Sequence, residues 1–195
     1  MRNVIAVSLA ILLALPAAAQ AQRTSRASTE VTASEPGQRV DKLFAELKRA
    51  TSERAAERIS QRIWQEWLRS GSASVDLLMQ WSQKAIDDKK YDVAMDLLDQ
   101  VVTLSPTYAE GWNRRATLHF AMDNYSKSMA DIARTLELEP RHFGALGGMA
   151  TMLKNAGRSD AAIRAYERVL EVYPMMRSAQ TELGKLADET AGEGI

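Results

Sequence analysis

Two histidines, His119 and His142, are the first candidates for acid–base or metal chemistry in this 195-residue chain, which has no cysteine. They stand apart in sequence and bring no HExxH or comparable ligand spacing, so neither points to a zinc site. His119 falls on an apolar helical face and reads as a packing residue. His142, beside Arg141 just after Pro140, reads as part of a solvated corner. Without cysteine there is no disulfide, no thiolate nucleophile and no lipid-bearing residue. Gly144, Gly147 and Gly148 do not make GxGxxG, and no strand precedes them, which argues against a nucleotide loop. Ser70-Gly71-Ser72-Ala73-Ser74 reads as a loop with a helix N-cap for a helix starting near Val75, not as a nucleophile elbow. Asp87-Asp88-Lys89-Lys90 reads as a charged turn. No nucleophile–base pair, metal set or phosphate loop emerges, so the expectation is a non-catalytic protein without a cofactor.

Composition narrows the partners. Apolar residues make up 46% and charged residues 26%, with 25 basic against 25 acidic side chains. That balance argues against nucleic acid or an anionic membrane surface, both of which call for a basic excess. At the amino end, Arg2 precedes the apolar run VIAVSLAILLAL, then Pro16 and AAAQAQ. This is the pattern of a secretory signal peptide over residues 1–21, with cleavage before Gln22 or, alternatively, before Gln20. The expected address is outside the cytoplasm, periplasmic in a cell with two membranes, with no membrane insertion after signal removal. Residues 22–38 hold one large apolar residue, Val31, and read as a flexible linker ending at Pro36-Gly37.

The remainder repeats. Pro106, Pro140 and Pro174 each close an apolar-rich helical stretch, and they follow one another at a spacing of 34 residues. The units are 75–108, 109–142 and 143–176, each read as two helices. Small residues recur where the helices of a unit must cross closely: Ser82 and Ala94, Ala116 and Ser128, Ala150 and Ala162. Proline ends the second helix because it forces its predecessor out of the α region. Gly157 suits a left-handed C-cap in the third unit, where the first two place Lys89 and Asp123. With Trp112, Ala116, Tyr125 and Pro140, the middle unit resembles the tetratricopeptide repeat. The stretches IWQEWLRSGSASVDLLM, EGWNRRATLHF and LEPRHFGAL are also similar to a group of small exported bacterial repeat proteins. The expected fold is therefore all-α, an array of three helical hairpins. Residues 39–74 read as a degenerate hairpin covering the first unit, and 177–195 as a capping helix with a frayed tail.

The resemblance implies a concave groove lined by the first helix of each repeat, and a protein or peptide partner held there. Carried onto this chain, its lining includes Gln80, Gln83, Asn113, Arg114, Thr117, Phe120, Gly144, Gly147, Gly148, Thr151 and Lys154. Chaperone-binding relatives clamp a terminal carboxylate with Lys, Asn and Arg. Those places here hold Met79, Gln83, Arg114, Gly144 and Gly148, so that ligand class is not implied. Arg115 occupies an ordinarily apolar position, and Asp131 faces it from the second helix. A buried lone guanidinium would be costly, so the two are expected to form a structural ion pair. An alternative reading has a weak homo-oligomer forming through Ile63, Trp64, Trp67 and Trp81 at the amino end.

Overall fold

The computed structural model describes residues 36–192, so the expected signal segment, all but the last three residues of the expected linker, and the last three residues of the tail lie outside the described residues. Those described form nine α-helices and no strand: α1 (Pro36–Lys48), α2 (Glu53–Trp67), α3 (Ala73–Asp87), α4 (Tyr91–Leu104), α5 (Ala109–Ala121), α6 (Tyr125–Leu138), α7 (Phe143–Asn155), α8 (Ser159–Val172) and α9 (Arg177–Gly192). The first helix begins at Pro36, earlier than the linker reading allowed. Pro36 stands in its first turn, where proline's fixed φ and missing N–H cost nothing.

The three hairpins α3–α4, α5–α6 and α7–α8 close in one way. Lys89, Asp123 and Gly157 take φ of 58°, 59° and 69°. The residue after each returns a backbone N–H to the helix: Lys90 to Ala85 (2.8 Å), Asn124 to His119 (2.8 Å) and Arg158 to Leu153 (3.0 Å). This six-residue closure satisfies carbonyls that the helix end would leave unpaired. Small residues then let the paired helices approach: Ser82, Ala94, Ala116, Ser128, Ala150 and Ala162 are all buried. Ser128 replaces the usual alanine at no polar cost, because its hydroxyl donates to the Ala116 carbonyl across the hairpin at 2.8 Å. Indole and amide side chains tie down two proline corners, with Trp112 Nε1 donating to the Pro106 carbonyl and Gln180 Nε2 to that of Pro174.

The amino-terminal hairpin corrects the sequence reading. It does not cover the first unit. Val40, Leu43, Phe44 and Leu47 of α1, with Ile63 and Trp67 of α2, form one cluster with Phe143 and Tyr173 of the third repeat. Ion pairs reinforce the docking: Arg141 to Asp41 at 2.8 Å and Arg177 to Glu53 at 2.9 Å. The Arg141 guanidinium also lies over the Phe44 ring, 4.3 Å from its centroid. In the repeat frame, exposed Lys48, the last residue of α1, stands where the regular units bury a small residue, so the crossing of α1 and α2 lacks that feature. Their bulky faces go instead to the aromatic corner between α7 and α8. At the other end α9 caps the third repeat through Ala179 and Leu186.

Candidate functional site

The first helices α3, α5 and α7 carry the expected groove residues. Asn113, Thr117 and Phe120 of α5 and Gly144, Gly148 and Thr151 of α7 line one cavity of about 200 Å³, which Ser128 and Ile132 of α6 help to floor. Its wall is mainly apolar, from Ala116, Ile132, Ala145 and Met152, with the exposed Thr117 and half-buried Thr151 as the accessible polar side chains, since the buried Asn113 amide is held by Glu110. Gly148 keeps the floor low: a Cβ there would sit 3.5 Å from the Ile132 Cδ1. Phe120 stands half-exposed at the edge, its ring meeting Tyr125 edge-on at 5.7 Å. Thr151 Oγ1 lies 3.4 Å from the Tyr166 hydroxyl.

Other expected groove residues are already engaged. Arg114 donates to Gln83 and, at 3.2 Å, to Glu110. Lys154 donates to Glu182 of α9 at 2.5 Å, a contact that raises the lysine pKa and holds the Glu182 carboxyl down at about 2. Gln80 is exposed, and a Cβ on Gly147 would meet nothing within 4 Å. Gly144 is not open. A Cβ there would lie 2.8 Å from the Trp64 ring, so the approach expected of a partner backbone is made by the chain's own α2.

Beneath Trp64 lies a buried polar group that the sequence reading did not anticipate. Glu110 accepts from Asn113 Nδ2 at 2.8 Å and from Arg114, and its Oε2 lies 3.2 Å from His142 Nε2. His142 Nδ1 accepts the Ala145 backbone N–H at 3.1 Å, capping α7. That bond leaves the ring proton on Nε2, directed at Glu110. The Trp67 indole stacks on the imidazole at 4.1 Å and 9°. His142 is therefore fully buried rather than solvated: it caps α7, donates to the buried Glu110 carboxylate, and seats α2. The pairing joins residues 32 apart, at opposite ends of the second repeat, and no local pattern announces it.

Arg115 and Asp131 meet as a two-pronged pair, Nε to Oδ2 at 2.7 Å and Nη2 to Oδ1 at 2.8 Å. Arg115 Nη1 also reaches Asp99 of α4 at 2.8 Å, and its guanidinium lies over Trp112 at 4.7 Å. His119 sits 3.9 Å from the same Asp131; burial pushes its pKa down. Among the described residues, no three His, Cys, Asp or Glu side chains come together to hold a metal, and no helix is long and apolar enough to cross a membrane.

Comparison with known proteins settles the family. Residues 144–174 match the tetratricopeptide repeat model. A TPR repeat-containing protein of Rhizobium etli is 51% identical over 159 residues, covering 82% of this chain and 78% of that protein. The chain belongs to the tetratricopeptide repeat family. Among solved structures, this TPR array resembles the first TPR of Spaghetti (RPAP3) bound to an HSP90 peptide, with a TM-score of 0.57 and 23% identity, over 60% of this chain and 93% of that one. It also resembles MamA, with a TM-score of 0.56 and 20% identity, over 71% of this chain and 81% of that one. At these identities the likeness concerns the fold.

Proposed function

We propose that this TPR protein is a non-catalytic interaction module that holds a segment of a partner protein in the cavity between α5 and α7, and that it works in the cell envelope after export. The cavity carries the reading: it is apolar, it has room for one medium-sized side chain, and its threonine hydroxyls suit a peptide backbone. A peptide in the HSP90-peptide complex of the Spaghetti TPR supports the class of partner. The cations near the groove, Arg114 and Lys154, are held by Glu110 and Glu182, so a neutral segment with an apolar anchor fits better than an acidic tail. Both carboxylate–imidazole contacts of the described residues serve packing: Glu110–His142 lies behind Trp67, and Asp131 is taken by Arg115. The export reading rests on the amino-terminal pattern of residues 1–21, and residues 22–35 would tether the array. Amino-terminal sequencing of the protein recovered from fractionated cells tests it.

The binding test places a photo-crosslinking residue at Thr151, identifies the captured segment, and titrates that segment as a synthetic peptide. Gly148→Leu should fill the cavity and Phe120→Ala should remove its apolar edge. Each should weaken binding at least tenfold while the helical circular dichroism stays unchanged. Unaltered affinity in both folded variants would exclude this groove. The alternative reading, self-association through the tryptophan-rich hairpin, loses three of its four residues: Ile63 and Trp67 are buried and Trp64 half-buried against the third repeat.

A further inference from the structure

Trp81, the fourth residue of that alternative, belongs to a different surface. Because the units recur every 34 residues, each side chain on α3 and α4 can be compared with its equivalents. Leu77 corresponds to Gly111 and Ala145, Trp81 to Arg115 and Met149, and Leu97 to Asp131 and Ala165. In the second unit these positions face the preceding hairpin. A Cβ on Gly111 would lie 2.7 Å from Val101 of α4, and Arg115 reaches Asp99 of α4. The first unit presents the same stacking surface, yet α1 and α2 pack on Phe143 and Tyr173 instead. Leu77, Trp81 and Val93 are left 41%, 52% and 51% exposed. The opposite end of the array is closed by α9.

We propose that this face pairs with the same face of a second copy, forming a two-fold dimer in which α3 and α4 of both chains make a four-helix bundle. The face continues the surface by which the units already stack, so a partner hairpin of the same geometry fits it. Its charges are self-complementary. Lys84 continues the stripe of Leu77 and Trp81 on α3, while Asp92 and Asp96 are exposed at the start of α4. A two-fold axis parallel to the helices lays α3 of one copy antiparallel over α4 of the other, with their turn ends together. Lys84 of each copy then faces Asp92 and Asp96 of its mate. A single open face used isologously closes at two copies and does not propagate into a filament.

Multi-angle light scattering of the purified full-length protein, followed over a range of micromolar concentrations, tests this. The parent should reach the mass of two chains, and Trp81→Glu should return it to one with unchanged helicity. Should that variant unfold, Val93→Lys, at a site exposed in the monomer, serves the same purpose. At low salt Lys84→Asp should raise the dissociation constant roughly tenfold, and adding Asp96→Lys in the same chain should restore it. Gly148→Leu should leave the mass unchanged, which separates this interface from the groove. A parent that stays monomeric at every concentration overturns the proposal, whether Trp81 is then open to a quencher or shielded by residues 1–35 or another protein. A dimer indifferent to both Trp81→Glu and Val93→Lys overturns it as well.

Discussion

Removing the Asp131 carboxylate should be the most informative single change to the array's stability. In the folded protein the Arg115 side chain is 18% exposed and that of Asp131 is 6% exposed. Truncating one partner of a fully buried pair costs about 3–5 kcal/mol, because it strands the other charge. Arg115 would not be wholly stranded: it keeps Asp99, whose side chain is 57% exposed, and its stack on Trp112. Asp131→Ala should therefore cost about 2–3 kcal/mol, a loss of about 5–10 °C in melting temperature for a domain of this size. Asp99→Ala, at the exposed end of the same arginine, should cost under about 1 kcal/mol. The third repeat shows how the site manages without charge, since Met149 and Ala165 stand at the equivalent positions and Ala165 is buried. Arg115→Met combined with Asp131→Ala should therefore come back to within about 1 kcal/mol of the parent. Urea unfolding followed by both circular dichroism and tryptophan fluorescence measures all four proteins, with coincident curves securing the two-state treatment. A cost below about 0.5 kcal/mol for Asp131→Ala, or a double variant no better than the single one, would refute the reasoning.

Left-handed Lys89 and Asp123 should each gain up to about 1 kcal/mol when replaced by glycine, as Gly157 already has at the third turn; thermal melts check this, and a loss at both sites would contradict it. Gly147→Ala should stabilise α7 by up to about 1 kcal/mol, since its Cβ meets nothing, whereas Gly144→Ala should cost about 1–3 kcal/mol by displacing Trp64 from its aromatic neighbours. Two groups give the acid response its sign. Glu182, held at about 2 by Lys154 and Lys185, contributes stability above its ordinary 4.5 that is lost as pH falls from there toward 2, so Glu182→Gln should flatten that part of a melting-temperature profile. Burial lowers the pKa of His119, so the unfolded chain takes up its proton first; stability falls as pH drops below about 6.5, and His119→Leu should reduce that slope.

The repeat was legible because its causes are local and periodic. Proline closure, small residues at the crossings and a left-handed turn residue recur at a fixed spacing, and each has a direct structural consequence. Arg115 and Asp131 were legible for a related reason: a charge at an apolar position of a known frame needs a partner on the facing helix. What lay hidden was non-local. Nothing in α1 or α2 says that their apolar faces will meet Phe143 and Tyr173 rather than the first repeat. That one docking decision buries Trp67 and His142, half-buries Trp64 over Gly144, and leaves Leu77 and Trp81 exposed. The groove residues were placed by family frame alone, which fixes the helix and its face but cannot foresee that Arg114 and Lys154 are satisfied by Glu110 and Glu182.

Methyl NMR on methionine-labelled protein tests the groove most directly. Met152 lines the cavity between α5 and α7, while Met95 lies in a separate depression beside Arg115 and Asp131. On titration with the partner segment captured at Thr151, the Met152 methyl should shift and saturate with the binding isotherm while Met95 stays in place. A silent Met152 alongside a saturating shift at Met95 would contradict the account.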